Sequence, residues 1–129
     1  MKNVAVVGCT VTLICTATST PGTGVTQITT QASLKVKADG KGVYFGPIDV
    51  SVSGYSDSII TVPLSGSGTI TIQPSAQKVK VEGKNVILEG DSGSAMIDGM
   101  AYSGSSQVAV KSNVTAKIEI AGQMKVKAN

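Results

Sequence analysis

The stretch KVKADGKGV at residues 35–43 recurs as KVKVEGKNV at residues 78–86, an offset of 43 residues. Lysine, valine and glycine occupy the same places in both copies, and Glu82 replaces Asp39. Similarity at a fixed period is the signature of a fold assembled from repeated units. We therefore expect one small structural unit to occur more than once in this chain.

A third copy is divided between the two ends of the sequence. KVKAN runs from Lys125 to Asn129, and MKNVAVVG at residues 1–8 matches GKNVILEG at residues 83–90. Three units of 43 residues fill the 129 residues, so no fused effector domain is expected. The sequence predicts one domain over residues 1–129, pseudo-threefold within a single chain, with both termini close together.

Each copy predicts a β-hairpin. Lys-Val-Lys opens a strand with its lysines outward and its valine inward, because side chains alternate across a strand. Asp39-Gly40 is a strong type I′ turn signal and Glu82-Gly83 a weaker one, with positive φ expected at both glycines. The strand residues in the three copies are Lys35, Val36, Lys37, Lys78, Val79, Lys80, Lys125, Val126 and Lys127.

The composition favours an all-β fold. The apolar residues are mostly valine, isoleucine and alanine, mixed with threonine and serine, which suits pleated strands. Fifteen glycines divide the chain into short segments, and no stretch of a dozen residues keeps a helical apolar period. The apolar run near the N-terminus is too short for a signal peptide or a membrane span, and we expect it to form a strand.

The charged residues argue against nucleic acid as a partner. The net charge of +3 comes from lysine alone, and the chain has neither arginine nor tryptophan. Phosphate recognition favours arginine, and base stacking requires aromatic rings. We predict a solvated lysine surface and no nucleic-acid groove.

The segment GDSG at residues 90–93 matches the surroundings of a serine-protease nucleophile. A serine nucleophile needs a general base, normally histidine, and the chain has no histidine. We interpret Ser92 as part of a turn, and we expect no catalytic residue. Asp91 aligns with Cys9 and lies near Asp49 in another copy, so a weak hypothesis places these side chains together on the threefold axis.

Cys9 and Cys15 are predicted to be free thiols. Six residues of extended strand separate them by about 20 Å, beyond the span of a disulfide. Both would lie on one face of a continuous strand, where cysteine serves as a small apolar residue. Metal binding by this pair is the weaker interpretation, because no histidine is present to complete a site.

KVKVEGKNVILEGD at residues 78–91 resembles the recurring phrase of PAAR and PAAR-like proteins, which tip the spikes of contractile injection machines. VVGCTVTLICTATSTPG at residues 6–22 is similar to PAAR-like N-termini. The resemblance implies a small all-β cone that carries three repeats and has no enzymatic activity. The usual metal site of the family needs histidines with a cysteine, so a metal-free tip without a cofactor is expected here, with Cys9 and Cys15 as the alternative ligands.

The resemblance also implies the partners and the location. One face of the cone would cap a trimeric spike protein, VgrG-like or a phage hub-spike, and the apex would help to pierce the target membrane. Effector or toxin cargo is a further expected partner. The protein would be made in the bacterial cytoplasm and carried at the spike apex of a phage tail, a type VI secretion system or an extracellular injection particle.

Two other functions remain open at this point. A homotrimeric phage spike, fibre or decoration protein has a similar composition, rich in valine, threonine and glycine. It obtains threefold symmetry from three chains, however, and needs no internal repeat. A ligand-binding β domain normally presents exposed aromatic residues, and only three tyrosines and one phenylalanine are available.

Overall fold

The computed structural model describes residues 2–62 and 67–128, and every regular element within them is a strand. The all-β prediction is confirmed. The strands are β1 Lys2–Asn3, β2 Thr10–Cys15, β3 Thr20–Pro21, β4 Thr23–Ile28, β5 Lys37–Ala38, β6 Lys41–Gly42, β7 Ile48–Ser56, β8 Ser67–Ile72, β9 Lys80–Val81, β10 Lys84–Asn85, β11 Ser92–Ser103, β12 Ser106–Ile120 and β13 Lys127–Ala128. In these two described ranges, no helix is long and apolar enough to cross a bilayer.

Six of the strands form three two-stranded hairpins with the same register. They are β5–β6, β9–β10 and, from opposite ends of the chain, β13–β1. The equivalent pairs are Lys37 with Gly42, Lys80 with Asn85, and Lys127 with Asn3. The two ends of the chain therefore pair as one hairpin, while Met1 and Asn129, where the predicted third copy is divided, lie outside the described residues.

The two continuous hairpins turn through the predicted residues. Asp39 and Gly40 have φ of 53° and 77°, and Glu82 and Gly83 have φ of 52° and 84°. Two consecutive positive φ angles define a type I′ turn, whose twist matches that of the flanking strands. The weaker Glu-Gly signal thus gives the same turn as Asp-Gly.

The segments that follow the three hairpins, residues 4–6, 43–45 and 86–88, meet in a closed ring. The Tyr44 amide donates to Ala5 O at 3.1 Å, the Ile87 amide donates to Tyr44 O at 3.0 Å, and the Ala5 amide donates to Ile87 O at 2.8 Å. Antiparallel bridges repeat the pattern between Val6 and Val43, Phe45 and Val86, and Leu88 and Val4. The same contact is made three times, so the three segments hold equivalent places.

The other seven strands, six of at least six residues and the two-residue β3, form the body of the molecule, in the sheet orders β11-β12-β2-β3 and β4-β7-β8. Each copy contributes to this body the strands that follow its ring segment: β7–β8, β11–β12, and β2 followed by β3 and β4. Strands of different copies pair where β12 meets β2 and where β4 meets β7. At the remaining junction Gly93 of β11 lies so close to β8 that an added Cβ would be 3.1 Å from Ile72 Cα. Neighbouring copies therefore contact one another all the way around.

The ring separates two apolar cores. Its central residues Ala5, Tyr44 and Ile87 belong to the body core, whereas the residues on either side of them belong to a smaller core beneath the hairpins. Adjacent residues of an extended segment point to opposite sides, which explains this division. The body core includes Ile48, Val50, Val52, Ile60, Ile70, Ile72, Ile97, Val114, Ala116 and Ile118. The smaller core includes Val4, Val6, Ala38, Val43, Ala76, Val81, Val86, Leu88 and Ala128.

Candidate functional site

The hairpin end of the molecule carries most of the lysines, and they are exposed as the sequence predicts. Nine of the eleven lysines lie on the three hairpins: Lys2, Lys35, Lys37, Lys41, Lys78, Lys80, Lys84, Lys125 and Lys127. The same hairpins hold two acidic residues, Asp39 and Glu82, which leaves an excess of seven positive side chains there. The rest of the chain has two lysines and six acids. The charge is therefore strongly polarised toward one end.

The valines between the paired lysines do not point inward, so that part of the prediction is wrong. Val36, Val79 and Val126 are 40%, 39% and 42% exposed. The strands begin only at the second lysine of each pair, and the next residue, Ala38, Val81 or Ala128, is the one that is buried. Sequence alternation gave the correct period, but the strand starts later than expected.

The main chain of each of these valines is tied to the ring, which holds the side chain outward. The Val36 and Val79 carbonyls accept hydrogen bonds from the Val43 and Val86 amides, each at 3.2 Å. In the third copy the Val4 amide donates to the carbonyl of Val126 at 3.0 Å. We term the nine lysines and these three valines the ring face.

A polar residue two positions before the first lysine organises two of the three copies. Ser33 Oγ accepts from the amides of Lys35 and Val36 at 3.2 and 3.0 Å, and Gln123 Oε1 accepts from those of Lys125 and Val126, both at 2.8 Å. Ala76 occupies the same position in the second copy and is buried. This role is not predicted from the sequence, although Ser33 and Gln123 stand at the same distance before the repeated Lys-Val-Lys.

Polar contacts also join neighbouring hairpins. Lys125 Nζ lies 3.2 Å from an Asp39 carboxylate oxygen, and Lys41 Nζ donates to Gly122 O at 3.1 Å. The Lys125 side chain is 78% exposed, and an exposed ion pair contributes little to stability. These contacts orient the lysines more than they stabilise the fold.

The GDSG segment is structural, because Asp91 binds the main chain around it. This aspartate is buried, and its carboxylate accepts from the amides of Leu88 and Ser75 at 2.8 and 3.1 Å and from the Ser75 hydroxyl. Ser92 is exposed at the start of β11, opposite Lys117. The Lys117 side chain is 43% exposed, and its Nζ lies 3.9 Å from a Glu119 carboxylate oxygen.

The hypothesis that Cys9, Asp49 and Asp91 meet on the axis is wrong. Asp49 is exposed on β7, where its carboxylate accepts from the Thr71 hydroxyl at 2.7 Å. Within residues 2–62 and 67–128, no three histidine, cysteine or acidic side chains are grouped as metal ligands would be. The residue of the first copy that is equivalent to Asp91 is the fully buried Ile48, which directs Asp49 to the other side of the strand.

The two cysteines are free, and they lie in different surroundings. Cys9 precedes β2 and is partly buried, which raises the pKa of its thiol to about 11. Cys15 is fully buried near the end of β2, 3.4 Å from Ser112 Oγ. They are not on one continuous strand as predicted, because Gly8, with φ of 95°, ends the extended segment before Cys9.

A second polar cluster lies in the body, around Asp57. Its carboxylate accepts from the Ser112 hydroxyl at 2.6 Å, the Tyr55 hydroxyl at 2.7 Å, and the amides of Ile59 and Ile60 at 2.6 and 2.7 Å. Desolvation by itself would raise the pKa of Asp57, but these four hydrogen bonds outweigh it and lower the pKa to about 2. Burial, followed by the neighbouring Asp57, raises the pKa of Tyr55. The cluster holds the segment after β7 against β12.

A groove of about 420 Å³ runs beside the ring face between the β1–β13 hairpin and β12. Its charged lining combines three lysines with two glutamates and is open to solvent: Lys2, Lys117, Lys127, Glu89 and Glu119. Glu89 is occupied by the chain itself, since its carboxylate accepts from the Ala121 amide at 3.2 Å. Asn3 also lines the groove, and its buried Oδ1 has no hydrogen-bond partner among the described residues. The mixed charge of the lining does not indicate one class of ligand.

No family model, curated protein or solved structure matches this chain.

Proposed function

We propose that this chain is a PAAR-like tip protein that caps a trimeric β-helical spike of a contractile injection machine. In this proposal the protein is a structural, non-catalytic cone with pseudo-threefold symmetry, and it leads the spike into the target membrane. The support comes from the repeated sequence and from the ring that the three copies form.

The observation that carries the proposal is the cycle of hydrogen bonds among Ala5, Tyr44 and Ile87. Three further bonds surround it and run in the opposite donor-to-acceptor direction, from the amides of Val7, Gly46 and Glu89 to the carbonyls of Gly42, Asn85 and Asn3. One chain thus presents three equivalent sets of residues around one axis. A homotrimeric fibre has no need of such a ring, because its three chains supply the symmetry.

A cap with three equivalent sets of contacts matches the symmetry of a trimeric partner. A closed homotrimer presents three identical surfaces at its end, and a single cap satisfies all three only if it repeats its own contacts three times. The pairing of β1 with β13 completes the third set from the two ends of the chain. A cap built in this way binds in the ratio of one chain to one trimer.

The chemistry of the chain fits a structural role. Asp91 and Asp57, the most highly coordinated carboxylates, are each satisfied by main-chain amides and hydroxyls of their own fold. Such groups hold segments in place and have no free lone pair directed at a substrate. Ser92 lies opposite Lys117, whose partly exposed side chain is near Glu119.

The test is the stoichiometry of a complex with a recombinant β-helical spike trimer, measured by native mass spectrometry at low micromolar concentration. We expect one copy of this chain per spike trimer. Three copies per trimer, or no complex with spike trimers of several injection machines, would contradict the proposal. A chain that assembles into its own stable trimer would instead favour a homotrimeric spike, fibre or decoration protein.

A further inference from the structure

The three copies are more alike at the hairpin end of the molecule than at the other end. At the hairpin end, the three valines of the ring face have exposures of 39–42%, and the three hairpins share one register. At the other end the strands that enter the body from the ring have unequal lengths: β2 has 6 residues, β7 has 9 and β11 has 12. The hairpin end is therefore the one that offers a homotrimer three equal surfaces.

The hairpin end is also the basic end. Each hairpin supplies three exposed lysines, and each set sits at equivalent positions in its copy. A surface with an excess of seven positive side chains favours a partner of opposite charge and disfavours one of like charge. The complementary partner carries carboxylates in a threefold arrangement.

Apolar side chains among the lysines allow the two surfaces to come into close contact. In addition to the three valines, Leu34 and Met124 are 76% and 81% exposed at equivalent positions, where the second copy has Gln77. Exposed large apolar residues among charges are the composition of a protein interface, with an apolar centre and a polar rim.

We propose that the ring face is the docking surface and that its partner is a protein trimer whose contacting end is acidic, with carboxylates on each of its three chains. This inference rests on the proposed function and specifies which end of the cap binds and by what chemistry. The opposite end, with its long β11–β12 hairpin, then points away from the trimer. Attraction between the two charged surfaces makes the docking sensitive to salt.

The test compares two variants that lose the same net charge. Lys37→Gln/Lys80→Gln/Lys127→Gln removes one lysine from each hairpin. Ser103→Glu/Ser105→Glu/Ser106→Glu adds three acids at the exposed turn of the β11–β12 hairpin, at the other end of the molecule. The probe is a recombinant β-helical spike trimer with at least one Asp or Glu per chain at its blunt end, and the affinity is measured by calorimetry in 50 and 300 mM salt.

We expect the lysine variant to bind about tenfold or more weakly than the unmodified chain at low salt, since each interface charge pair contributes modestly and three are lost. The serine variant should bind within about twofold of the unmodified chain, and salt should weaken the unmodified chain more than the lysine variant. Circular dichroism melting of both variants separates loss of binding from loss of folding.

Other results overturn the inference in distinguishable ways. If the unmodified chain binds one per trimer and the serine variant is the weakened one, the opposite end docks, and the proposed function stands. Equal weakening of both variants would mean that only net charge matters. If the unmodified chain binds no trimer but binds vesicles of phosphatidylcholine with 30% phosphatidylserine through the same lysines, the ring face is a membrane surface and the proposed function fails as well.

Discussion

A circular permutation tests whether the three hairpins are interchangeable. The change joins Asn129 directly to residue 1 with Met1→Gly and opens the chain between Asp39 and Gly40. Lys127 and Ala128 pair with Asn3 and Lys2 in the register that flanks the Asp39-Gly40 turn, so two linking residues suit a type I′ turn. The new link is Asn-Gly, the dipeptide that favours this turn most strongly.

The expected change in the free energy of unfolding is small, because the turn that is opened at one hairpin is replaced by a new turn at another. The unmodified chain already has one hairpin, β13–β1, without a continuous turn between its strands. The permuted chain transfers that interruption to β5–β6, and the entropy of closing the chain by pairing its two ends is the same in both cases. The residual difference is between two favourable turns, so the free energy of unfolding should change by no more than about 1 kcal/mol.

Urea unfolding followed by circular dichroism measures this difference. The matched control opens the same circularised chain between Val50 and Ser51 inside β7, which pairs with β4 on one side and β8 on the other. That opening places two charged ends beside the fully buried Val50 and should leave the protein largely unfolded. If the Asp39-Gly40 permutant were as unstable as this control, the three hairpins would not be equivalent.

Three further predictions concern single residues. Gly40→Val and Gly83→Val should each lower the free energy of unfolding by about 1 kcal/mol or more. An added Cβ has space at both positions, but a β-branched residue disfavours positive φ. Unchanged urea midpoints in both variants would contradict the assignment of type I′ turns at these positions. The pKa of Asp57 falls from its usual 3.8 to about 2, so its ionised form stabilises the fold above pH 4, and that contribution should be lost as the pH falls from about 4 to 2. Asp57→Asn should cost about 1 kcal/mol at pH 7 and weaken the dependence on pH in this window; an unchanged acid dependence would show that other carboxylates cause it. Cys15 should not react with a thiol reagent at pH 7 in the folded protein, because it is fully buried. Cys9 should react slowly because its pKa is about 11, and both thiols should react in guanidinium. Rapid labelling of one thiol without denaturant would contradict this prediction.

The repeated hairpins could be predicted from the sequence because their signals are local. A two-residue turn depends on the backbone preferences of Asp39-Gly40 or Glu82-Gly83, and those preferences are read from the residues themselves. The division of the third copy between the two ends could also be found, since the matching residues are present whether or not the chain is continuous there.

The direction of the valines could not be predicted in the same way. Val36 precedes the strand, which begins at Lys37, and its carbonyl accepts a hydrogen bond from the amide of Val43 in the ring. The ring is closed by segments of the other two copies, so the local pattern does not specify where the strand begins. Within the strand the side chains alternate as predicted, with Lys37 exposed and Ala38 buried. The prediction failed at Val36 because this residue precedes the strand and does not take part in the alternation.

The contacts of the GDSG segment could not be predicted from the sequence. The absence of histidine argues against a catalytic Ser92, but no sequence pattern pairs Asp91 with Ser75, sixteen residues earlier. Likewise, Asp57 gathers Tyr55 and Ser112, and the second of these comes from another copy. Such contacts depend on how the hairpins of different copies pack, which no local pattern specifies.

The most direct test of the central claim is the mass of the isolated chain in solution, measured by light scattering after size exclusion at low micromolar concentration. A chain that supplies three equivalent sets of contacts by itself should be a monomer of 13.0 kDa. A stable trimer of three times that mass would contradict the account, because the threefold arrangement would then come from three chains.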